Sequence, residues 1–142
     1  MDQHRCKAIV LHCMDYRLQA ELRRFLTEDL NLDGRYDAMA LGGSCQPLAR
    51  PSDAPGKELI LHQIGLCVSL HGTREAILIN HQNCGAYLPF ADAMSERVQH
   101  EADLQKARQV IQSVYPDLDV RLFFATFTEK GNERTIAVEP IP

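Results

Sequence analysis

Short, continuously apolar runs alternate with stretches of helical periodicity, and this alternation restricts the fold more than any other feature of the chain. The clearest run is "EAILIN" at residues 75–80, and "KAIVLH" at 7–12 and "DVRLFFATF" at 119–127 are similar. Apolar runs of this length, bounded by polar residues, indicate buried strands. Their alternation with helices predicts an α/β fold with a mostly parallel central sheet of four to five strands, flanked by helices.

Weaker signals predict the remaining elements. Residues 37–41 and 134–140 are candidate strands, and residues 45–56, which contain three prolines, indicate an irregular loop. Helical spacing predicts a helix that begins near Leu18 and ends near residues 31–34, and a second from Lys57 to about His71, with Gly72 as its stop. A third helix is predicted from about Asp92 to Val114, and its apolar stripe is Met94, Val98, Leu104, Ala107 and Ile111.

Length and charge limit the classes of function. The 142 residues suit a single domain, 1–142, and the net charge of −4 gives no indication of a nucleic-acid partner or an anionic membrane surface. No run approaches the roughly 18 apolar residues of a membrane span, and the N-terminal residues lack the apolar core of a signal peptide. We therefore expect a cytoplasmic protein.

Two groups of chemically active residues follow predicted strands. "HCMDYR" comes after the first strand and "NHQNCG" after the strand at 75–80, so a parallel sheet would bring both to one edge. Cys13, His81 and Cys84 supply two thiolates and an imidazole, a set that zinc uses when its fourth position stays open. The H-x-x-C spacing alone is a weak signal. Its placement opposite a second cysteine is what predicts a zinc site.

Asp15 and Arg17 alternate with Cys13 along the first motif. Their plainest interpretation is a surface ion pair, which would mean little. At a zinc site, however, the carboxylate can accept a hydrogen bond from a water on the metal, and the arginine can keep the carboxylate ionised and aimed. Asp15 could instead bind zinc itself and close the site, and the residues leave both possibilities open.

The paired motifs "CMDYR" (13–17) and "HQNCG" (81–85), supported by "ALGGS" (40–44), resemble those of the β-class carbonic anhydrases. The resemblance covers roughly residues 7 to 127. It implies that Cys13, His81 and Cys84 bind Zn²⁺ and that Asp15 and Arg17 form a catalytic dyad. It also implies a zinc lyase in which a zinc-bound hydroxide converts CO2 to bicarbonate, in a homodimer or a larger assembly.

Three further residues are candidates for contact with the substrate. Gly42 and Gly43 would allow the backbone to approach it closely. Tyr87 follows the second motif closely and either lines the pocket or packs within an ordinary loop. The expected substrate is CO2 or bicarbonate, or an analogue of one of them.

Two other functions fit the same residues. One is a hydrolase of a CO2-like molecule such as COS or CS2, and the other is a zinc-binding structural or regulatory homologue without catalysis. The intact pair of Asp15 and Arg17 argues against the second, because a structural site needs no such dyad. A thiolate phosphatase loop, H-C-x5-R, is not supported, because Gln19 stands where its arginine would be needed.

Overall fold

Five strands and four α-helices alternate along residues 4–50, 52–87 and 89–142, which the computed structural model describes. The strands are β1 (Ala8–His12), β2 (Tyr36–Ala40), β3 (Glu75–His81), β4 (Asp119–Lys130) and β5 (Glu133–Ile141). The α-helices are α1 (Gln19–Arg24), α2 (Gln46–Ala49), α3 (Ala54–His71) and α4 (Ala93–Val114). A 3-10 turn (Tyr16–Leu18) precedes α1, and a π-helical turn (Phe25–Asp29) follows it.

The strands form one sheet in the order β2-β1-β3-β4-β5. β1 pairs in parallel with both β2 and β3, and β3 pairs in parallel with β4, whereas β5 runs antiparallel to β4. The predicted α/β fold with a mostly parallel sheet is therefore confirmed. β5 and the second half of β4 continue beyond the end of β3 as an antiparallel hairpin.

Two hydrophobic layers cover the two faces of the sheet. Consecutive residues of a strand point to opposite faces, so Ile9 and Leu11 of β1 pack with α3 and α4, and Ala8 and Val10 pack with the helical segment of residues 16–29. Both faces of β1 are consequently buried, which accounts for its continuous apolar run. Within the described ranges, no helix combines the length and the apolar character that crossing a membrane requires.

Residues 45–56 are more ordered than the predicted loop. They contain α2 and the first turn of α3, where the Asp53 carboxylate accepts a hydrogen bond from the Gly56 N–H at 3.0 Å. Pro47 and Pro55 lie in the first turns of these helices, where the missing N–H of proline is not needed. The prolines therefore start two helices, and the prediction of an irregular segment was wrong here. Pro51 lies outside the described residues.

The predicted inner face of α4 was partly wrong. Leu104, Ala107 and Ile111 are buried as expected, but Met94 and Val98 are 71% and 59% exposed. The same face of the helix continues instead through the polar residues Glu96 and His100, which are buried. Spacings of four residues join these positions to Leu104, so the helical period was correct and the hydrophobic criterion chose the wrong residues.

The segment predicted as one helix from Leu18 is a succession of three helical geometries. The Phe25–Asp29 turn has π-helical hydrogen bonding, and the Leu30 N–H donates to the Phe25 carbonyl at 3.0 Å. The widened turn keeps Leu22, Phe25 and Leu26 buried against the sheet. The end of α3 is as expected, because Gly72 adopts φ +61°, a left-handed conformation that glycine takes without strain.

The packing of α3 against the residue that follows α4 yields a prediction. Tyr115 Oη donates to the Leu61 carbonyl at 2.9 Å, and a Cβ at Gly65 would lie 2.5 Å from that hydroxyl oxygen. Alanine stabilises a helix interior by about 1 kcal/mol relative to glycine. Here we expect Gly65→Ala to destabilise the protein by roughly 1–2 kcal/mol, because overpacking outweighs this gain. Urea denaturation measures the difference.

The matched control for this prediction is Gly65→Ala in a Tyr115→Phe background. Removal of the hydroxyl leaves room for the new methyl group, so the cost of the alanine should fall. An equal cost in both backgrounds would mean that contact with Tyr115 is not its cause.

Candidate metal centre

The ends of two adjacent parallel strands bring Cys13, His81 and Cys84 together. β1 and β3 pair in register, with His12 opposite Ile79, so the residues that follow both strands meet at the same edge of the sheet. The sulfurs of Cys13 and Cys84 are 3.9 Å apart, and the ligand atoms of all three residues lie within 4.8 Å of one another. All three side chains are buried. The residues predicted as metal ligands thus form a compact cluster.

The imidazole of His81 is oriented toward this cluster by its own backbone turn. Nδ1 lies 2.7 Å from the Gln82 carbonyl oxygen, so Nδ1 carries the proton and donates it there. Nε2 is then an unprotonated acceptor, and it is buried without a hydrogen-bond partner among the described residues. A buried nitrogen lone pair beside two sulfurs is the arrangement that a metal ion satisfies, and the hydrogen bond from Nδ1 is typical of metal-binding histidines.

Of the two sulfurs, that of Cys13 takes the negative charge more readily. A hydrogen bond from the Cys84 thiol is the largest influence on Cys13 and lowers the pKa of its thiol, with further support from the N–H groups of Gly43 and Asp15. The Cys13 thiolate and burial raise the pKa of Cys84 in turn, while the N–H groups of Ala86 and Tyr87 oppose this rise. Nearby backbone N–H groups therefore favour the thiolate at both sulfurs, and the thiolate is the form that binds metals.

Asp15 and Arg17 form the bidentate pair that the spacing predicted. Arg17 Nε donates to Asp15 Oδ1 at 3.0 Å and Nη2 donates to Oδ2 at 2.6 Å, while the Arg17 backbone N–H donates to Oδ1 at 2.9 Å. These hydrogen bonds lower the pKa of Asp15 to about 2, so the carboxylate is ionised at neutral pH. Oδ2 lies 3.9 Å from His81 Nε2 and faces the donor cluster.

Arg17 also links the first motif to the second and to β4. Its Nη2 donates to the Asn83 carbonyl at 2.9 Å, and its guanidinium lies 4.7 Å from the centre of the Phe127 ring. The same ring meets the His81 imidazole edge-on at 5.7 Å. Gln82 Oε1 accepts the Phe127 backbone N–H at 3.2 Å, which fixes the point where β4 passes the site. Phe127 thus forms an aromatic wall against both motifs.

Gly42 and Gly43, the predicted substrate neighbours, lie in the turn after β2. Gly43 has φ +83°, and a Cβ there would lie 2.9 Å from Gln46 Oε1 and 3.1 Å from the Ala86 Cβ. The nearest atom to a Cβ on Gly42 would be Met14 Sδ at 3.8 Å. Of the two positions, only Gly43 therefore requires a glycine. Its backbone N–H helps to lower the pKa of the Cys13 thiol.

Tyr87 belongs to a buried polar network behind the cluster. Its hydroxyl donates to Asp103 Oδ2 at 2.9 Å and accepts from Asn80 Nδ2 at 3.1 Å. The ring centre of Tyr87 is 4.0 Å from that of His100, and Asn80 Nδ2 also donates to His100 Nδ1 at 3.0 Å. The Tyr87 hydroxyl is thus directed at Asp103. Its contact with a substrate stays a prediction.

An open cavity of about 690 Å³ borders the cluster on the side of α4. Cys84, Tyr87, Phe90 and Glu96 contribute to its lining. Sequence reasoning missed Glu96 and His100, although a signal existed: both fall on the buried face of α4 at four-residue intervals before Leu104. A polar side chain that is buried at such a position is expected to be hydrogen-bonded.

The residues present fit a zinc ion. Two amide-supported sulfurs and one imidazole nitrogen without a partner converge within bonding reach of a single ion, and the cluster leaves a fourth direction toward Asp15. Softer thiolate donors favour zinc over magnesium or calcium, which prefer oxygen ligands.

A family of proteins described as "Putative carbonic anhydrase" matches residues 3–135 of this chain. The chain belongs to this carbonic anhydrase family. The resemblance carried by "CMDYR" and "HQNCG" is thereby confirmed at the level of a divergent, carbonic-anhydrase-like family. The match includes all the residues of the donor cluster and the pair of Asp15 and Arg17.

The chain is also similar to two uncharacterized bacterial proteins and, in fold, to one solved structure. An uncharacterized protein of Rickettsia bellii is 29% identical over 81% of this chain and 73% of its own length. The uncharacterized protein RC0076 of Rickettsia conorii is 27% identical over 81% of this chain, and the aligned part spans 64% of that protein. The crystal structure of carbonic anhydrase from Streptococcus mutans has the same fold, with a TM-score of 0.62 and 14% identity over 97% of this chain and 84% of that one.

The pKa of His100 gives a testable pH dependence for this carbonic anhydrase family member. Burial lowers the pKa of His100 from 6.5 to about 4. Between these values the folded protein binds fewer protons than the unfolded chain, so stability falls as the pH drops through this window. Between pH 6.5 and 4, we expect the free energy of unfolding of the wild type to fall by up to about 3 kcal/mol more than that of His100→Asn.

Urea denaturation of the metal-free proteins at several pH values measures this difference. His62→Asn is the matched control, since His62 is exposed on α3 and its variant should follow the wild type. Parallel pH profiles for the wild type and His100→Asn would contradict the assignment.

Proposed function

We propose that this chain binds one Zn²⁺ through Cys13, His81 and Cys84 and catalyses the reversible hydration of CO2 to bicarbonate. The observation that carries the proposal is the bidentate pair of Asp15 and Arg17, whose carboxylate faces a compact donor cluster at 3.9 Å. A purely structural zinc site has no use for an ionised carboxylate held in that position. Zinc bound here would supply a Lewis acid that makes water a nucleophile near neutral pH.

Asp15 orients the reacting water in this proposal. Both of its oxygens accept hydrogen bonds from Arg17, and Oδ2, which faces the donor cluster at 3.9 Å from His81 Nε2, is the oxygen that a hydrogen bond from the water would reach. Accepting that bond would fix one proton of the water and direct its lone pair toward CO2. Because Arg17 already holds both oxygens, the pairing favours this role over direct binding of Asp15 to the metal.

Arg17 keeps Asp15 ionised and in place. Three groups fix its guanidinium: the Asp15 carboxylate, the Asn83 carbonyl and the face of the Phe127 ring. A planar guanidinium can satisfy all three at once, whereas an ammonium group cannot. The Phe127 ring also covers one side of His81 and Arg17, which limits the access of bulk water from the direction of β4.

The test combines metal analysis with stopped-flow CO2 hydration. We expect about one zinc per chain in the wild type, and loss of zinc in Cys84→Ala. Asp15→Ala should retain zinc but lower kcat/KM at least about a hundredfold, because a positioned proton acceptor contributes on this scale. Asp117→Asn is the control, since Asp117 is exposed and precedes β4 at the opposite end of the sheet.

The same experiment separates the alternatives. Two exposed side chains alternate with the residues of the first motif: Met14 is 66% exposed and Tyr16 is 84% exposed. The apolar surface that they form beside the site could favour the less polar COS or CS2. Full zinc content with hydrolysis of COS or CS2 and no CO2 hydration would replace the anhydrase proposal with a hydrolase. Full zinc content with no reaction of any of the three would leave a zinc-binding module.

We also propose that two copies of the chain associate through β2 and α3. In the described sheet β2 pairs with β1 alone, and its other edge is open. Leu59, Leu66 and Leu70 of α3 are 47%, 37% and 62% exposed beside it and line a groove of about 420 Å³ with Met39. An open edge next to exposed leucines suits a second copy more than water.

Light scattering tests this association. The wild type should have about twice the 16.0 kDa mass of one chain, and Leu66→Asp combined with Leu70→Asp should reduce it to one. Met94→Asp replaces a side chain on α4 that is more exposed than either leucine, and it should leave the dimer intact. A wild type that is monomeric at tens of micromolar would contradict the proposal.

A further inference from the structure

The turn between His81 and Cys84 contains a residue in a conformation that most side chains avoid. Asn83 has φ +56°, in the left-handed region, and the turn must keep this shape for both neighbouring donors to face the same point. Asparagine tolerates this region better than other residues with a Cβ, but it does not hold it unaided. Something else in the structure must therefore fix Asn83.

Glu96 of α4 supplies that contact. Its carboxylate oxygen Oε1 accepts the Asn83 backbone N–H at 2.5 Å. Glu96 is only 9% exposed, and it lies in the first turn of α4, where the helix dipole favours a negative charge. A hydrogen bond from a backbone amide to a nearly buried carboxylate is stronger than one between neutral groups.

Asn83 is consequently held from both sides. Its N–H donates to Glu96, and its own carbonyl accepts from Arg17 Nη2 at 2.9 Å. The two contacts come from elements far apart in the sequence, α4 and the segment after β1. We propose that Glu96 is a positioning residue, which holds the turn of residues 81–84 in the shape that aims His81 and Cys84 at the metal.

His100 supports Glu96 from the next turn of the helix. Because His100 Nδ1 accepts from Asn80 Nδ2, the proton of the neutral ring is on Nε2. That Nε2–H is buried, has no hydrogen-bond partner among the described residues, and lies 3.9 Å from Glu96 Oε1. At this distance the carboxylate and the N–H dipole attract each other, which helps to keep both side chains in place.

The effect of Glu96 on metal binding rests on the proposed metal site, but the hydrogen bond between Glu96 and Asn83 does not need a metal. Loss of Glu96 frees the Asn83 amide and lets the turn relax, so His81 and Cys84 no longer converge. Arg17 loses part of its support at the same time, since the Asn83 carbonyl moves with the turn. Substitution of groups that orient metal ligands typically weakens metal binding by about 10- to 100-fold.

Two kinds of measurement on the full chain, one without metal and one with metal, test the proposal. In metal-free protein, hydrogen exchange followed by NMR should show a protected Asn83 amide. In Glu96→Ala the same amide should exchange at least about tenfold faster. With metal, competition against a chromophoric chelator should give a zinc affinity about 10- to 100-fold weaker in Glu96→Ala. The thiolate-to-metal bands of the Co²⁺ form should change in intensity, because the donors surround the ion differently.

Three further variants separate positioning from a general loss of structure. Glu96→Gln keeps an acceptor oxygen at the same place and should stay within about threefold of the wild-type affinity. In an Asn83→Gly background, Glu96→Ala should weaken zinc binding less than it does in the wild type, since glycine adopts φ +56° without help. Glu101→Ala removes a carboxylate from the same helix that pairs with Arg97, away from the site, and should change neither readout.

Each outcome decides between these possibilities. Unchanged exchange of the Asn83 amide in Glu96→Ala overturns the contact itself. Faster exchange with unaltered zinc affinity and Co²⁺ spectrum leaves Glu96 as a structural residue only and overturns the positioning role. A wild type that binds no metal refutes the proposed function, while the exchange data still decide whether Glu96 holds the turn.

Discussion

The parallel pairing of β1 with β3 is the constraint on which the rest of this structure depends. It places the end of one strand beside the end of the other, with His12 opposite Ile79, so Cys13 meets His81 and Cys84 without any loop having to cross the sheet. Both strands are buried on both faces, which makes their relative position rigid. A shift of one residue in this register would reverse every side chain and separate the donors.

Much of this arrangement can be predicted from sequence because it follows from periodicity and strand direction. The apolar runs locate the strands, and the rule that parallel strands end at the same edge brings the two motifs together. What fails is the assumption that apolar side chains point inward. On α4, Met94 and Val98 face solvent while Glu96 and His100 are buried, because internal hydrogen bonds can replace apolar contact.

The surroundings of the donor cluster are harder to predict because backbone groups make many of the contacts. The amides of Gly43 and Asp15 support the Cys13 sulfur, and the carbonyl of Asn83 accepts from Arg17. Every residue has a carbonyl and nearly every residue has an amide N–H, so the residue type does not indicate which of these backbone groups contact the cluster. Phe127 is similar: its ring reaches the site only because β4 continues beyond the end of β3, and the predicted strand ended at that residue.

Asn83 connects the two parts of the proposed chemistry. Its carbonyl holds the arginine that keeps Asp15 ionised, and its N–H is fixed by the carboxylate of Glu96 on the opposite side. The pair of Asp15 and Arg17 and the turn of residues 81–84 therefore cannot move independently, since a rotation of the turn displaces the carbonyl that accepts from Arg17. The backbone N–H of Asn83 faces the Glu96 carboxylate, and its carbonyl faces the Arg17 guanidinium. Each charged side chain therefore meets the end of a peptide dipole that has the opposite sign, and this gives a physical reason for a buried glutamate in α4.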